Sequence, residues 1–502
     1  MMTVPSQAKT TGITVDLHDE KQVIHSFGAS DAWTCQFVGE NWPMQKRKKI
    51  ADLLFSKEVD SKGNPKGIAL SMWRFNVGAG SAEQGDASRI STPWHRAECF
   101  LNADGSYNWG KQKGQQWFLE AAHARGVPRL LAFTNSPPVQ FTLNGIAHSD
   151  SGRKTLNIKK DALPAFADFL VGVAEHFSKK GLNLDYISPL NEPQYAWESD
   201  KQEGTPASNE EIHELTRLIS ERLQAKGLTS RVVVPEAGRL DYLWWKKGSP
   251  HRDQAWAFWN PSSPCYLGDL PNIGHAISGH SYFTTWPVSK QVQVRKELGD
   301  RLRQTDPKLA FWQTEYCLME SNDEVGGGPG RDTGMDTALY VARVIHSDLT
   351  IANATHWSWW LAVSQADYKD GLIYITPERD TPVTHDGQVL DSKLLWALGN
   401  YSRFVRPGMV RVGVSYDDHR SPLAAATSLM VSAYLDKKTR QLAIVAINPT
   451  TERQAIHLSG VRARSFYTYT TSQARSLRKG ASGADNVIIP PRAIVTLAGA
   501  VE

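Results

Sequence analysis

Two apolar patterns alternate along the first four hundred residues. Short apolar runs rich in β-branched and aromatic side chains fall at 25–30, 68–76, 128–134, 186–190, 231–235, 275–281, 309–314 and 354–360. Most are apolar throughout rather than at every second position, as a parallel sheet covered on both faces requires. Between them lie stretches of helical period, at 43–55, 111–125, 163–179, 209–226, 290–303, 336–351 and 392–405. The fourth shows the signal. Ile212, Leu215, Leu218, Ile219 and Leu223 recur at spacings of three and four, Ser208 or Asn209 can cap the start, and Gly227 lies just past the end. A weaker pattern at 242–259 supplies the fifth helix. Eight strand–helix units in series predict an α/β chain folded as a (β/α)8 TIM barrel.

After about Arg406 the period changes. Strand-like runs at 410–414, 429–434, 441–447, 454–457, 465–470, 486–489 and 493–497, separated by Pro, Gly, Asp and Asn turns, predict a small antiparallel β-sandwich. The run 13–17 is strand-like and precedes the first barrel strand, so it is expected to join that sandwich and tie the chain ends together. The expected division is residues 1–24 as a strand of the side domain, 25–405 as the barrel and 406–502 as the β-sandwich side domain.

Composition narrows the partners. With 56 Lys and Arg against 52 Asp and Glu in 502 residues, the net charge of +4 gives no reason to expect nucleic acid or membrane binding. No apolar run reaches the roughly 20 residues of a membrane helix. Cys35, Cys99, Cys265 and Cys317 are widely spaced and without a C-x-x-C pair, so buried free thiols are expected rather than disulfides or zinc. Residues 1–12 are polar and lack the apolar stretch of a signal peptide. The expectation is a secreted or periplasmic protein from which that peptide is absent, acting as a monomer. The 17 Trp suit sugar rings, though Trp also builds cores.

In such barrels chemistry sits at the C-terminal ends of the strands. There the sequence places Asp31 and Trp33, Arg74, Asn135, Asn191 and Glu192, Glu236, His280 and Tyr282, Glu315, and Trp359 with Trp360. Glu192 and Glu315 matter most. Two carboxylates across one mouth let one donate a proton while the other attacks, as in glycoside hydrolysis. Glu236 is a third candidate, or a partner of Arg239 or Arg74. Gly78-Ala-Gly80 is not a dinucleotide fingerprint, because Glu83 stands where the third glycine belongs. The Asp323–Asp332 run reads as a lid without calcium spacing. No His-x-His or carboxylate cluster calls for a metal, and no cofactor is expected. The alternative from another class, a non-catalytic carbohydrate-binding barrel, requires loss of one carboxylate, and both are present.

At these residues the sequence resembles glycoside hydrolase family 30, among the retaining (β/α)8 hydrolases. The carriers are His25-Ser-Phe-Gly-Ala-Ser-Asp31, Arg74-Phe-Asn-Val-Gly-Ala-Gly-Ser81, Asn135-Ser-Pro-Pro138, Ser188-Pro-Leu-Asn-Glu-Pro193 and Trp312-Gln-Thr-Glu315. The resemblance implies a carbohydrate substrate, Glu192 as acid/base, Glu315 as nucleophile and a glycosyl-enzyme intermediate. Within the family it is most similar to the branch that includes endo-β-1,6-galactanases; a β-1,6-glucanase, a xylanase or an exo-acting β-glycosidase is the alternative. The glucosylceramidase branch has an Asp shortly after the arginine, where this chain reads Gly-Ala-Gly-Ser. On this reading Asn191 hydrogen-bonds the sugar 2-hydroxyl, and His280 and Tyr282 hold Glu315. Arg74 supports Glu315 or binds the sugar, and Asp31 binds hydroxyls of a terminal sugar. Asn135 is a further substrate contact, and Trp33, Trp197, Trp359 and Trp360 are sugar platforms.

Overall fold

The computed structural model describes residues 10–245, 252–378, 380–463 and 466–502. After β1 (Thr10–Val23), eight parallel strands close into a barrel: β2 (Ser26–Ser30), β3 (Met72–Asn76), β4 (Leu130–Phe133), β5 (Tyr186–Ser188), β6 (Arg231–Ala237), β7 (Ile273–His280), β8 (Ala310–Glu315) and β9 (Ala354–Ser364). They pair in chain order, and β9 completes the ring by bonding both β8 and β2. All eight lie within or overlap the apolar runs of the sequence. Their side chains are buried on both faces because helices wrap the outside, as in Leu163–Lys179 and Asn209–Ala225. Ser208 caps the latter with a full capping box: its side chain accepts from the Glu211 N–H, and the Glu211 carboxylate accepts from the Ser208 N–H.

In the barrel domain the sequence reading departs from the structure in these places. The fifth helix is reduced to a 3-10 turn, Leu240–Leu243, and a short helix, Gln254–Trp259; residues 246–251 of the expected 242–259 lie outside the described residues. Beyond β9 the chain adds a hairpin, β10 (Gly371–Thr376) and β11 (Gln388–Asp391), with β10 parallel to β9. The Asp323–Asp332 run is pinned rather than free. Arg343 pairs with Glu324 at 2.8 Å, and Asp332 accepts the N–H groups of Gly334 and Thr337 at the start of helix Met335–Thr350.

The side domain is a mostly antiparallel sheet of nine strands. Its C-terminal members are β12 (Val410–Tyr416), β13 (Met430–Leu435), β14 (Gln441–Asn448), β15 (Gln454–Ser459), β16 (Phe466–Ser472), β17 (Arg475–Ser482), β18 (Val487–Ile489) and β19 (Ala493–Ala500). The sequence reading missed β17, whose Arg, Lys and Ser positions hide its strand period. Ser465 of the expected strand 465–470, and residues 1–9, lie outside the described residues. β1 enters this sheet between β12 and β15, antiparallel to the first and parallel to the second.

Alternation along β14 joins the two domains. Ala443, Val445 and Ile447 pack into the barrel's core, whereas Leu442, Ile444 and Ala446 fill the sandwich. Asn400, fully buried on helix Lys393–Ser402, stitches the contact. Its amide donates to the Tyr469 carbonyl at 3.0 Å and to the Thr496 hydroxyl at 2.9 Å, and that hydroxyl donates back to the Asn400 carbonyl at 2.7 Å. Replacing Asn400 by Leu removes both amide bonds while the Thr496 hydroxyl keeps its bond to the backbone carbonyl of residue 400, and is expected to lower the unfolding free energy by about 1–3 kcal/mol in urea titration, without loss of the barrel's circular dichroism.

Candidate active site

Each barrel strand ends where its backbone leaves the ladder, and the polar residues gather there. β5 gives way to Pro189-Leu190-Asn191-Glu192, and Glu192 takes a left-handed backbone, φ 46°. Glu236 does the same near the end of β6, φ 56°. Such conformations cost a non-glycine residue about 1–3 kcal/mol and persist only when surrounding contacts hold them. Here the Glu192 N–H donates to the Glu236 carbonyl at 2.9 Å, and the Glu236 N–H donates to the Ser278 hydroxyl at 2.9 Å. The Trp197 indole donates to the Glu192 carbonyl at 3.0 Å. A Cβ on Gly238 lies only 3.1 Å from the Glu192 carboxyl carbon, so the glycine leaves that carboxyl room to pack on the backbone.

Three carboxylates and two cations form one buried cluster. Arg74 reaches Glu315 at 2.6 Å through one terminal nitrogen, and Glu236 and the Asn191 carbonyl oxygen at 3.3 Å each through the other. Its guanidinium lies 4.1 Å over the Phe133 ring. His280 bridges Glu192 from Nδ1 and Glu236 from Nε2, both at 2.9 Å, with Glu315 at 3.7 Å. The Tyr282 hydroxyl donates to Glu315 at 3.0 Å, and Thr314 donates to Glu236 at 2.6 Å.

The electrostatics separate the three acids. Burial opposes a charge on His280, but Glu315, Glu192 and Glu236 together raise its pKa to about 9. Burial also opposes a charge on Glu236, yet Arg74, His280 and Thr314 hold its pKa down at about 2. Glu192 goes the other way: burial, with the charge of Glu315, raises its pKa above the ordinary range, against the pull of His280. At neutral pH His280 is therefore a cation donating from both nitrogens. Glu192 Oε1 accepts one of those bonds. Glu192, His280 and Glu315 bring ligating atoms within 4.8 Å of one another. A doubly protonated imidazole is no metal ligand, however, and Arg74 already neutralises Glu315.

The cluster thus brings together six expected residues: Arg74, Asn191, Glu192, His280, Tyr282 and Glu315. His280 differs from expectation in holding Glu192 and Glu236 more closely than Glu315. Arg74, His280 and Tyr282, expected among the substrate contacts, are fully buried and contact carboxylates. Asp31 is elsewhere. It is fully buried, accepts from the Asn76 N–H at 2.8 Å and from Gln115 at 3.2 Å, and burial raises its pKa to about 8, so it anchors the ends of β2 and β3 rather than meeting a sugar. Asn135 is also buried, with its Oδ1 unpartnered among the described residues. Trp359 is no platform. It is wholly buried and its indole donates to the Asp370 carbonyl at 2.6 Å, because a ring midway along β9 is enclosed by its neighbours. Trp197 is 7% exposed and packs on Gly204. Trp360 is buried, while Trp33 is partly exposed, stacked on His95 at 3.7 Å. Glu236 is the functional residue that sequence reading undervalued; its burial, invisible in sequence, makes it an anchor.

Comparison with known proteins follows from this geometry. The profile of O-Glycosyl hydrolase family 30 matches residues 10–374. The chain belongs to that family. It is an O-glycosyl hydrolase, and the family acts with retention. Glucuronoxylanase XynC of Bacillus subtilis (strain 168) is 26% identical over 479 residues, covering 93% of this chain and 86% of its own. A conserved exported protein from Bacteroides fragilis superposes with a TM-score of 0.92 at 36% identity, covering 97% of this chain and all of that one. The catalytic domain of GH30 xylanase C from Talaromyces cellulolyticus shares the fold, with a TM-score of 0.71 at 21% identity over 98% of this chain and 100% of its own.

Two outcomes test this family 30 site. Trp359→Ala is expected to lower stability by about 3–5 kcal/mol in denaturant unfolding, as loss of a buried ring does, and not to act mainly through KM. Glu236→Gln removes one of the carboxylates that keep His280 charged. The His280 pKa, read by NMR titration, is expected to fall below about 9, because the carboxylate 2.9 Å from its Nε2 is lost.

Proposed function

We propose that the chain is a retaining β-glycoside hydrolase acting by double displacement on a β-linked polysaccharide, with Glu315 as nucleophile and Glu192 as acid/base. The observation that carries this reading is the pairing of a carboxyl whose pKa is raised with a carboxylate bound by Arg74 and Tyr282, their nearest oxygens within 4.8 Å. An upper limit of 4.8 Å between their nearest oxygens is compatible with the roughly 5–5.5 Å carboxyl separation of retaining enzymes.

The same electrostatics account for the switch in role. Glu315 attacks the anomeric carbon while Glu192 passes its proton to the leaving oxygen. Once Glu315 is esterified its negative charge is gone. Burial is the larger cause of the raised Glu192 pKa, and the part owed to Glu315 goes with that charge, which favours Glu192 as the base that deprotonates the incoming water. Asn191, whose side-chain oxygen accepts from Arg74, is assigned the hydrogen bond to the sugar 2-hydroxyl.

For the substrate, the motif pattern favours β-1,6-galactan, cut within the chain. A second reading, xylan, is supported by the likeness to glucuronoxylanase XynC along most of both chains. Likeness to an exported protein supports action outside the cytoplasm, and among the described residues no helix is long and apolar enough to cross a membrane.

Glu315→Gln is expected to abolish hydrolysis of an aryl β-glycoside while leaving the fold intact; wild-type turnover refutes its role. Glu192→Ala is expected to spare only substrates with good leaving groups and to be rescued by azide with a β-glycosyl azide product. NMR should detect the β anomer first, and α first excludes double displacement. Initial rates on β-1,6-galactan, β-1,6-glucan and xylan decide the substrate.

A further inference from the structure

A second cavity of about 890 Å³ opens at the opposite pole of the barrel, where the strands begin, against the segment that joins β1 to β2. Its volume falls in the range of small-molecule sites. Its floor is aromatic. His25 lies 4.5 Å from Trp312 between ring centroids, Tyr186 meets Trp312 edge-on at 4.8 Å, and the Tyr186 hydroxyl bonds His25 Nε2 at 2.9 Å. Its wall is cationic. Among the described residues five Lys or Arg line it against two carboxylates, both engaged: Glu20 by Lys437 at 2.7 Å and Asp306 by His275 at 2.8 Å; of the cations, Lys21 and Arg303 pair with Asp19 and Asp300, which leaves Arg129, Arg231 and Lys308 to face a ligand. Arg129 keeps donors beyond its 3.3 Å contact with Asp185. Arg231 and Lys308 have no carboxylate within ion-pair distance among the described residues. Burial and then Arg129 hold the His25 pKa at about 4, so its ring is neutral and the excess charge comes from the guanidinium and ammonium groups.

We infer that this cavity binds a small polyhydroxylated anion, a sugar acid or a sugar phosphate, with its anionic group on Arg231, Lys308 and Arg129 and its body against Tyr186 and His25. Unpaired cations around a concave surface concentrate anions, and charge-assisted hydrogen bonds fix them. A polarised aromatic floor accepts the C–H face of a sugar ring. The site is remote from Glu192 and Glu315, so it stands or falls apart from the catalytic reading.

Calorimetric titration of the full chain with galacturonate, glucose 6-phosphate, inorganic phosphate and neutral galactose tests it. Expected is one saturable site for galacturonate or glucose 6-phosphate, and which of the two binds identifies the anionic group. Affinity should fall roughly tenfold or more in Arg231→Glu and in Lys308→Glu, both exposed positions, and stay unchanged in Glu315→Gln. The inference is overturned by absence of saturation with both sugar anions, or by wild-type affinity in both charge-reversed variants. Loss of binding in Glu315→Gln, or inorganic phosphate or galactose binding as tightly as the sugar anion, overturns it equally.

Discussion

Five ionisable groups crowd the barrel mouth, four of them buried and Glu192 partly so, and the site depends on their mutual neutralisation. Isolated, each charge costs several kcal/mol to bury. Together Arg74 and a protonated His280 balance Glu236 and Glu315, which leaves Glu192 as the member that stays neutral most cheaply. Two glutamates of one residue type thus sit in different surroundings: Glu315 is given a cation directly, and Glu192 is given a histidine already shared with a third carboxylate.

Holding that cluster requires a rigid frame, and the barrel supplies it in layers. Beneath the mouth, a buried Arg295–Asp348 pair at 2.7 Å ties helix Val288–Thr305 to helix Met335–Thr350, and Asp348 also accepts from Ser281 after β7 and from Trp357 on β9. Further down, hydrogen bonds run from Tyr186 through His25, Ser26 and His356 to Ser358, all between 2.7 and 2.9 Å. Burial keeps both histidines neutral, so each ring can accept as well as donate. The interior is thus a polar ladder enclosed in an apolar wall. The sandwich braces the outside through β14 and Asn400, and β1 carries the chain start into that brace.

Part of this was legible before folding. Strand runs apolar on both faces read as a covered parallel sheet, and eight of them alternating with amphipathic helices read as a closed barrel. Asn191-Glu192-Pro193 and Glu315 stood at strand ends, so their convergence followed from the topology. The fifth helix was harder to read because a 3-10 turn and a short helix carry too few turns for a periodic signal. β17 escaped because exposed Arg and Lys replace its outer apolar positions.

The sequence by itself determined the fold class, the strand ends and the pair of glutamates, because periodicity and position along a strand are local properties. Only the tertiary structure decided which side chains lie under cover. It turned Trp359 and Asp31 from sugar contacts into interior supports, raised Glu236 to a keystone, and gave His280 to Glu192. Solvent exposure and charge environment are set by neighbours far away in the chain, and no local pattern encodes them.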